Sequence, residues 1–249
     1  AAGTSDPLDG PLALAAVSYF DAMVGDGRSS LYACDNAHRS VRKVDLAAGQ
    51  ISTLASFPDS PCGGLALDSQ GTVYVSDATR VQKVNAATGA LTTVAGTREE
   101  GFSGDGGPAL QARFFRGGHP LAFDAAGNLY IADTGNYRIR RVDAATGIIQ
   151  TVVGNGTFTE SAAEGPALNV GLADVRSLAF DKSGNLLIGD SSGNLRKYNP
   201  AMGMISTIMG RLGPGYSGDG GPASDARAYY VTGLAVDTAG NILFADSNV

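Results

Sequence analysis

The sequence repeats one short pattern five times, and this repeat constrains the fold more than any other feature. In each copy a run of four mostly apolar residues ends in an aspartate, and a second aspartate stands nine residues earlier. The earlier aspartates are Asp26, Asp68, Asp124, Asp181 and Asp237. The aspartates that end the runs are Asp35, Asp77, Asp133, Asp190 and Asp246, separated by 42, 56, 57 and 56 residues. Such a repeat indicates similar supersecondary units that stack and bury their faces against one another.

Each copy has the pattern of four strands joined by turns, most clearly the third. Its apolar or alternating segments are residues 121–123, 128–132, 137–142 and 148–153. The segment 137–142 alternates polar and apolar residues, as a half-buried strand does. Four strands per repeat at this spacing are typical of propeller blades. We therefore predict an all-β fold, a β-propeller of four-stranded antiparallel blades with four full blades and partial ones.

The third copy, residues 121–143, resembles the consensus of the NHL repeat, and the resemblance covers nearly the whole chain. It is weaker at the short loop 77–80, at Asn194 and at His38. NHL propellers close with five or six blades, so the resemblance implies that residues 1–249 form one propeller that is a fragment of a longer chain. Residues 2–4 match residues 95–97 at the end of a fourth strand. The blades are expected near residues 17–56, 63–97, 119–154 and 175–210, with a partial blade at 231–249.

Composition excludes two classes of partner. The net charge is −6 without a basic run, whereas nucleic-acid binding depends on phosphate contacts from lysine and arginine. No stretch reaches the roughly 18 apolar residues of a membrane-spanning helix. We predict neither nucleic-acid binding nor membrane insertion.

The sequence offers little for catalysis. It contains none of the Gly-x-Ser-x-Gly, His-Glu-x-x-His or Gly-x-x-x-x-Gly-Lys motifs. The family resemblance also implies a possible zinc lyase, but His38 and His119 are too few for its metal site. We therefore predict no enzyme activity, cofactor or metal, and expect a binding or scaffolding domain with a protein or glycan partner, able to assemble into a larger complex. The alternatives are a structural component of an extracellular filament or glycoprotein coat, and a calcium-dependent propeller hydrolase or lyase.

Strand alternation predicts which face binds. The second-to-third strand loops and the links between blades lie on one face and hold the variation in length, and loops on a rigid scaffold often carry function. Five candidates fall in these loops and links: Arg80, Arg98, Arg113, Arg116 and His119. Together they would form a positive patch for a carboxylate or a sugar acid. The alternative is ordinary solvated surface for the arginines and a neutral, hydrogen-bonded histidine.

Two links share a Ser-Gly-Asp-Gly-Gly-Pro-Ala motif, at 103–109 and 217–223. Asp105 and Asp219 would be cation ligands in a functional interpretation. We favour a structural one, in which glycine supplies positive φ and proline begins a short helical turn. The repeated aspartates are likewise expected to accept hydrogen bonds from backbone or arginine, because a catalytic site is normally unique.

Three residues bear on the compartment. Cys34 and Cys62 are either a disulfide, which favours an oxidising environment, or two buried thiols. Asn155, followed by Gly156 and Thr157, fits the acceptor pattern for an N-glycan. These features favour an extracellular or cell-surface location.

Overall fold

The computed structural model describes residues 9–15, 20–57, 60–160, 163–211 and 213–247. It shows the predicted all-β fold, with four antiparallel blades followed by a two-stranded sheet. Residues 2–4, matched above to the end of a fourth strand, lie outside the described residues, as do positions 17–19 and 248–249 of the expected blades.

The strand bounds follow the repeat. The first blade contains β2 (Phe20–Gly25), β3 (Ser30–Asp35), β4 (Ser40–Asp45) and β5 (Gln50–Ser56), with β1 (Gly10–Pro11) on its outer edge. The second contains β6 (Gly64–Leu67), β7 (Val73–Ser76), β8 (Val81–Val84) and β9 (Leu91–Ala95). The third contains β10 (Leu121–Phe123), β11 (Leu129–Asp133), β12 (Arg138–Val142) and β13 (Ile149–Val153).

The fourth blade contains β15 (Val175–Phe180), β16 (Leu186–Asp190), β17 (Leu195–Asn199) and β18 (Met204–Met209), with β14 (Gly165–Pro166) on its outer edge. The last sheet pairs β19 (Val231–Val236) with β20 (Ile242–Asp246). In the described part of the chain, five short 3-10 helices complete the elements: η1 (Leu12–Leu14), η2 (Ala109–Gln111), η3 (Thr134–Asn136), η4 (Ala167–Asn169) and η5 (Ala223–Asp225).

The first-to-second strand turns are held by the earlier aspartate of each repeat. Asp124 Oδ1 accepts the backbone N–H groups of Ala126 and Asn128 at 3.0 and 2.9 Å. The Asn128 amide donates to Asp124 Oδ2 at 2.8 Å, and Gly127 takes φ = 85°. An Asp side chain that bonds backbone two residues on stabilises such a turn locally, so the turn fixes the hairpin register.

The later aspartates organise the second-to-third strand loops, as predicted. Asp77 Oδ1 accepts the N–H groups of Thr79 and Arg80 at 3.0 and 2.8 Å. Asp190 does the same for Ser192 and Asn194. Burial raises the pKa of the Asp190 carboxyl, and these hydrogen bonds oppose that rise. The five copies are therefore part of the architecture.

Apolar side chains fill the spaces between neighbouring blades. Tyr130 of the third blade meets Phe180 of the fourth edge to face, with ring centroids 5.0 Å apart. Tyr74 and Phe123 repeat the contact between the second and third blades at 4.8 Å. These two tyrosines thus pack between neighbouring blades. The first strand of each sheet contacts the first strand of the next: β2 with β6, β6 with β10, β10 with β15 and β15 with β19. The blades therefore lie side by side with their first strands innermost.

Cys34 and Cys62 form a disulfide, with Cα atoms 5.6 Å apart. Cys34 lies in β3 of the first blade and Cys62 just before β6 of the second, and both are buried. Of the two possibilities left open by the sequence, the structure thus has the bonded pair, which fastens the first blade to the second.

The Gly-Pro links extend over the outer strand of the blade that follows them. Gly106 N–H donates to the Ile149 carbonyl at 2.8 Å, and Ile149 N–H donates to the Gly107 carbonyl at 3.0 Å. β1 and β14 make the equivalent pairing with β5 and β18. Gly104 and Gly106 have φ of 93° and 80°, and η2 begins directly after Pro108. The favoured structural interpretation of the motif is confirmed, and the links shield outer edges that would otherwise be unpaired.

Candidate functional site

A cavity of about 970 Å³ opens on the face that carries the second-to-third strand loops and the blade links. The four blades and the last sheet all contribute residues to its lining, and so do the links before the second, third and fourth blades, because the first strands converge there. The lining residues are Asp21, Asn36, Ser60, Pro61, Cys62, Gly63, Asp77, Ala78, Thr79, Arg80, Arg98, Phe115, Arg116, Gly117, Gly118, Pro120, Thr134, Gly135, Asp174, Val175, Arg176 and Thr232.

Charged groups of both signs surround this cavity, with arginine in excess. Four guanidinium groups and three carboxylates belong to the lining. The whole chain carries a net charge of −6, so the excess of positive charge in the cavity lining is opposite in sign to the charge of the chain. An arginine presents several donors in a planar fork that suits carboxylate and phosphate groups. The site is therefore better suited to an anion than the rest of the surface.

Arg80 is held in position by its own loop. Its Nε donates to Asp77 Oδ2 at 2.9 Å, and the Asp77 side chain is almost completely buried. Asp77 also fixes the loop backbone through its other oxygen, as described above. The guanidinium of Arg80 is thus ordered before any ligand arrives, which lowers the entropic cost of binding.

The other three cavity arginines have exposed side chains. Arg116 pairs with Glu100, with Nε and Oε1 2.6 Å apart, and Arg176 lies 3.7 Å from Asp174. Arg98 lies in the link after β9. Exposed pairs of this kind contribute little to stability, so these side chains can reorient toward a ligand at small cost.

Phe115 adds an apolar surface to the cavity. Its side chain is 46% exposed although it belongs to the lining, and its backbone N–H donates to Asp133 Oδ1 at 3.1 Å. The ring packs on Gly135, where any side chain would overlap it. A half-exposed aromatic ring beside arginine is suited to the apolar face of a sugar or to a peptide side chain.

His119 lies beneath the cavity and does not belong to its lining. It is fully buried, with Nδ1 3.0 Å from the Ala132 carbonyl and Nε2 3.2 Å from the Ala78 carbonyl. Its own carbonyl accepts the Ser76 hydroxyl at 2.9 Å. The histidine therefore ties the second blade to the third and supports the wall that carries Arg80.

The remaining sequence candidates lie away from the cavity lining. Arg113 pairs with Glu99 on the surface. Asp105 binds Arg140 and the Thr151 hydroxyl, and Asp219 accepts the Tyr216 hydroxyl at 2.9 Å. Asn155 is exposed in the link after β13, where its Oδ1 accepts the Thr157 N–H at 2.9 Å.

The candidates predicted from the sequence include three residues of the cavity lining, Arg80, Arg98 and Arg116. They do not include Arg176, Asp174 or Phe115, which line the cavity as well. Arg176 stands near the start of β15, whose other residues are mostly apolar, and a charged residue inside an inner strand was the available signal. Across the described ranges, no cluster of three or more His, Cys, Asp or Glu side chains is placed to hold a metal ion. Within the same residues no helix has the length and hydropathy to cross a membrane.

No family model matches the chain, and no curated protein does. Solved propellers are similar in fold. An auxiliary nutrient binding protein from Bacteroides ovatus is 16% identical with a TM-score of 0.58, over 97% of this chain and 70% of that one. A chain of a nidogen/laminin complex is 17% identical with a TM-score of 0.62, over 91% and 72%.

Virginiamycin B lyase from Staphylococcus aureus is 12% identical with a TM-score of 0.57, over 91% of this chain and 63% of the lyase. At these identities the likeness establishes the fold class alone. The chain is a β-propeller, and its binding chemistry has to be argued from its own residues.

Proposed function

We propose that this propeller is a binding module that holds an acidic ligand, a sugar acid or a carboxylate-bearing glycan, in the cavity on its link face. The observation that carries the proposal is the convergence of Arg80, Arg98, Arg116 and Arg176 on one cavity of about 970 Å³. That volume lies within the range of roughly 300–1,000 Å³ of small-molecule sites.

The other lining groups fit a sugar acid. Ser60, Thr79, Thr134 and Thr232 supply hydroxyl groups that can donate to or accept from ring hydroxyls. Phe115 offers a flat apolar surface. A neutral sugar could use these groups but would bring no negative charge to the four guanidinium groups, so acidic sugars should be selected over neutral ones.

The same surface is suited to binding without catalysis. Asp77 is committed to Arg80, and both ring nitrogens of His119 already face backbone carbonyls. A general acid or base has to lie within hydrogen-bonding distance of the proton that it transfers. Asp77 and His119 are already engaged by these partners and are not placed to do so. Incubation of the protein with acidic oligosaccharides, with and without calcium, followed by NMR of the products, tests this: turnover in either condition would contradict it.

A secreted or cell-surface setting agrees with the buried Cys34–Cys62 disulfide, since disulfides persist in oxidising compartments. The similar auxiliary nutrient binding protein and the chain of the nidogen/laminin complex are precedents for a nutrient binding protein and a protein complex with this fold, and here they support a ligand or protein partner. The NHL-type repeat remains our interpretation of the blades.

The binding proposal is tested by isothermal titration with galacturonate and glucuronate oligomers, and with their neutral counterparts. We expect the acidic oligomers to bind and the neutral ones to bind at least ten-fold more weakly. The variant Arg176→Ala should lose about 10- to 100-fold in affinity, because a charge-assisted hydrogen bond contributes about 1.5–3 kcal/mol.

Arg113→Ala is the matched control, because this exposed arginine is paired with Glu99 and is not part of the cavity lining. It should bind as the unaltered protein does. Equal losses in the two variants, or no preference for acidic oligomers, would contradict the proposed site.

A further inference from the structure

Three phenylalanine side chains around the third blade are half exposed. Phe102 and Phe115 belong to the link before the blade, and Phe158 belongs to the link after it. Their exposed fractions are 42%, 46% and 50%. The third blade has the second and fourth blades on its two sides, so this exposure does not come from a missing neighbour. Grouped apolar side chains on a surface mark binding sites, and we call these three residues the phenylalanine patch.

The phenylalanine patch begins in the cavity and continues outward from it. Phe115 lines the cavity, whereas Phe102 and Phe158 lie beyond the lining. The first two are joined through the backbone, because Gly101 N–H donates to the Phe114 carbonyl at 3.1 Å. Gly101 precedes Phe102 and Phe114 precedes Phe115 in the sequence. A ligand in the cavity can therefore continue onto the patch.

The second-to-third strand loop of the third blade holds the three rings together. Gly135 lies under the Phe115 ring, and Tyr137 meets the Phe158 ring edge to face with centroids 5.5 Å apart. The asparagine between them donates its side-chain amide to the carbonyl of the residue before Phe102, at 2.8 Å. One short loop thus connects the inner end of the patch with its outer end.

Arg138 adds a positive charge to the outer part of the patch. Its guanidinium carbon lies 4.0 Å from the centroid of the Phe102 ring. Its Nη1 and Nη2 donate to the carbonyls of Asn136 and Asn155, each at 3.0 Å, and a side chain at Gly156 would overlap it. These two bonds use two of the five N–H groups of a guanidinium. The group is therefore fixed in place and has donors left for an anion.

The cavity and the outer part of the patch present the same pair of groups. In the cavity Phe115 stands next to Arg116, whose side chain is exposed, and outside it Phe102 lies against Arg138. An aromatic ring packs on the apolar face of a sugar, and a guanidinium forms charge-assisted hydrogen bonds with a carboxylate. A polyuronate has an apolar face and a carboxylate on every residue. The repeated pair therefore fits a chain of uronates better than a glycan with one terminal acid.

The fourth blade does not repeat this pair. Phe114 and Leu172 make the same isolated bridge in the links before the third and fourth blades, so Ala173 takes the place of Phe115. The register of the third strands likewise puts Asn194 at the place of Arg138. The second-to-third strand loops of the second and fourth blades, residues 77–80 and 190–194, contain no aromatic residue. The patch is thus particular to the third blade, unlike the aspartates that build every blade.

We propose that the phenylalanine patch is an outer subsite for an acidic oligosaccharide whose first residue lies in the cavity. The occupant is a polyuronate chain, with the face of its next residue on Phe102 and the carboxylate of that residue on Arg138. This inference rests on the function proposed above, and it specifies the ligand as a chain of at least two uronate residues.

The experiment measures the affinities of galacturonate monomer, dimer and trimer by isothermal titration. The unaltered protein should bind the trimer at least ten-fold more tightly than the monomer. Phe102→Leu keeps an apolar side chain against Arg138 and removes the aromatic ring. It should reduce the gain from monomer to trimer at least five-fold and leave the affinity for the monomer within two-fold.

Tyr216→Leu is the matched control, because Tyr216 is an exposed aromatic residue at the same place as Phe102 in the second copy of the Ser-Gly-Asp-Gly-Gly-Pro-Ala link. It should show the full gain with chain length. Circular dichroism confirms that both variants are folded. Hydroxyl-radical footprinting of the unaltered protein needs no variant: the trimer should protect Phe102 and Phe158, and the monomer should protect Phe115 without them.

The outcomes separate this subsite from the cavity. Equal affinities for monomer and trimer, or protection of Phe115 alone by the trimer, would overturn the outer subsite and leave the cavity proposal standing. Failure of every galacturonate to bind would overturn both. Glutamate peptides of one to three residues form a second series. If their affinity rose with length and fell in Phe102→Leu as that of the galacturonates does, the patch would be a polypeptide site and the proposal would be overturned.

Discussion

Cys34 and Cys62 join the first blade to the second across the link that has no Gly-Pro motif. The links before the first, third and fourth blades each bring an acid to a buried arginine of the blade that follows. A covalent bond thus joins the two blades whose link lacks the Gly-Pro motif, and the second blade has Gln82 where the third has Arg140.

Loss of the disulfide should destabilise the protein by about 3.5 kcal/mol, because the bond closes a loop of 28 residues in the unfolded chain. The measurement is urea unfolding of Cys34→Ala/Cys62→Ala against the oxidised parent. Since both sulfurs are buried, mild reductant should leave the native bond intact until the protein unfolds. Rapid reduction under native conditions would contradict this.

Asp105 and Asp219 should differ in their effect on stability although they occupy the same place in the same motif. Asp105→Asn should cost about 2 kcal/mol, because the buried Arg140 loses its charged partner. Asp219→Asn should change the free energy of unfolding by less than about 0.5 kcal/mol, since Asp219 accepts a hydrogen bond from the exposed Tyr216 hydroxyl. Equal costs in denaturant unfolding would contradict the distinction.

Tyr130 should make the protein sensitive to alkali. Burial, and next the charge of Asp124, raise the pKa of its hydroxyl to about 12. A raised native pKa gives stability that is complete below the ordinary value of about 10 and is lost as the pH rises through 12. Tyr130→Phe should therefore lose less stability than the parent between these pH values, measured by thermal unfolding. Parallel losses would show that Tyr130 is not responsible.

Gly64 should not tolerate a side chain. A Cβ there would overlap the backbone carbonyl of His119, which belongs to the neighbouring third blade. Gly64→Ala should cost about 3 kcal/mol, as overpacking between rigid backbones does. Gly117→Ala is the matched control, because its Cβ would meet open space. A melting temperature equally lowered in both variants would rule out the steric explanation.

Much of this architecture could be predicted from sequence because it depends on local signals. The aspartates at 124 and 133 mark a turn and a strand end within ten residues, and both hold backbone N–H groups. The pairing of Arg140 with Asp105 joins residues 35 apart. No local pattern reveals such a contact, and only comparison of whole blades, with Gln82 as the exception, would have indicated it.

The cavity was harder to predict for the same reason. The alternation of strands and loops predicted the face on which the cavity opens. The residues that line the cavity depend on which side chains of the five sheets meet there. Arg176 and Asp174 are isolated charges in the sequence, and they become part of a site only when β15 lies beside β10 and β19.

Each Gly-Pro link precedes in sequence the outer strand with which it pairs, as Gly106 and Gly107 precede Ile149. Synthesis on the ribosome proceeds in the same direction and delivers roughly 5–20 residues per second. In a growing chain, each Gly-Pro link is therefore synthesised before the outer strand that completes its blade. The first, third and fourth blades can each close against a link already made, so assembly can advance one blade at a time.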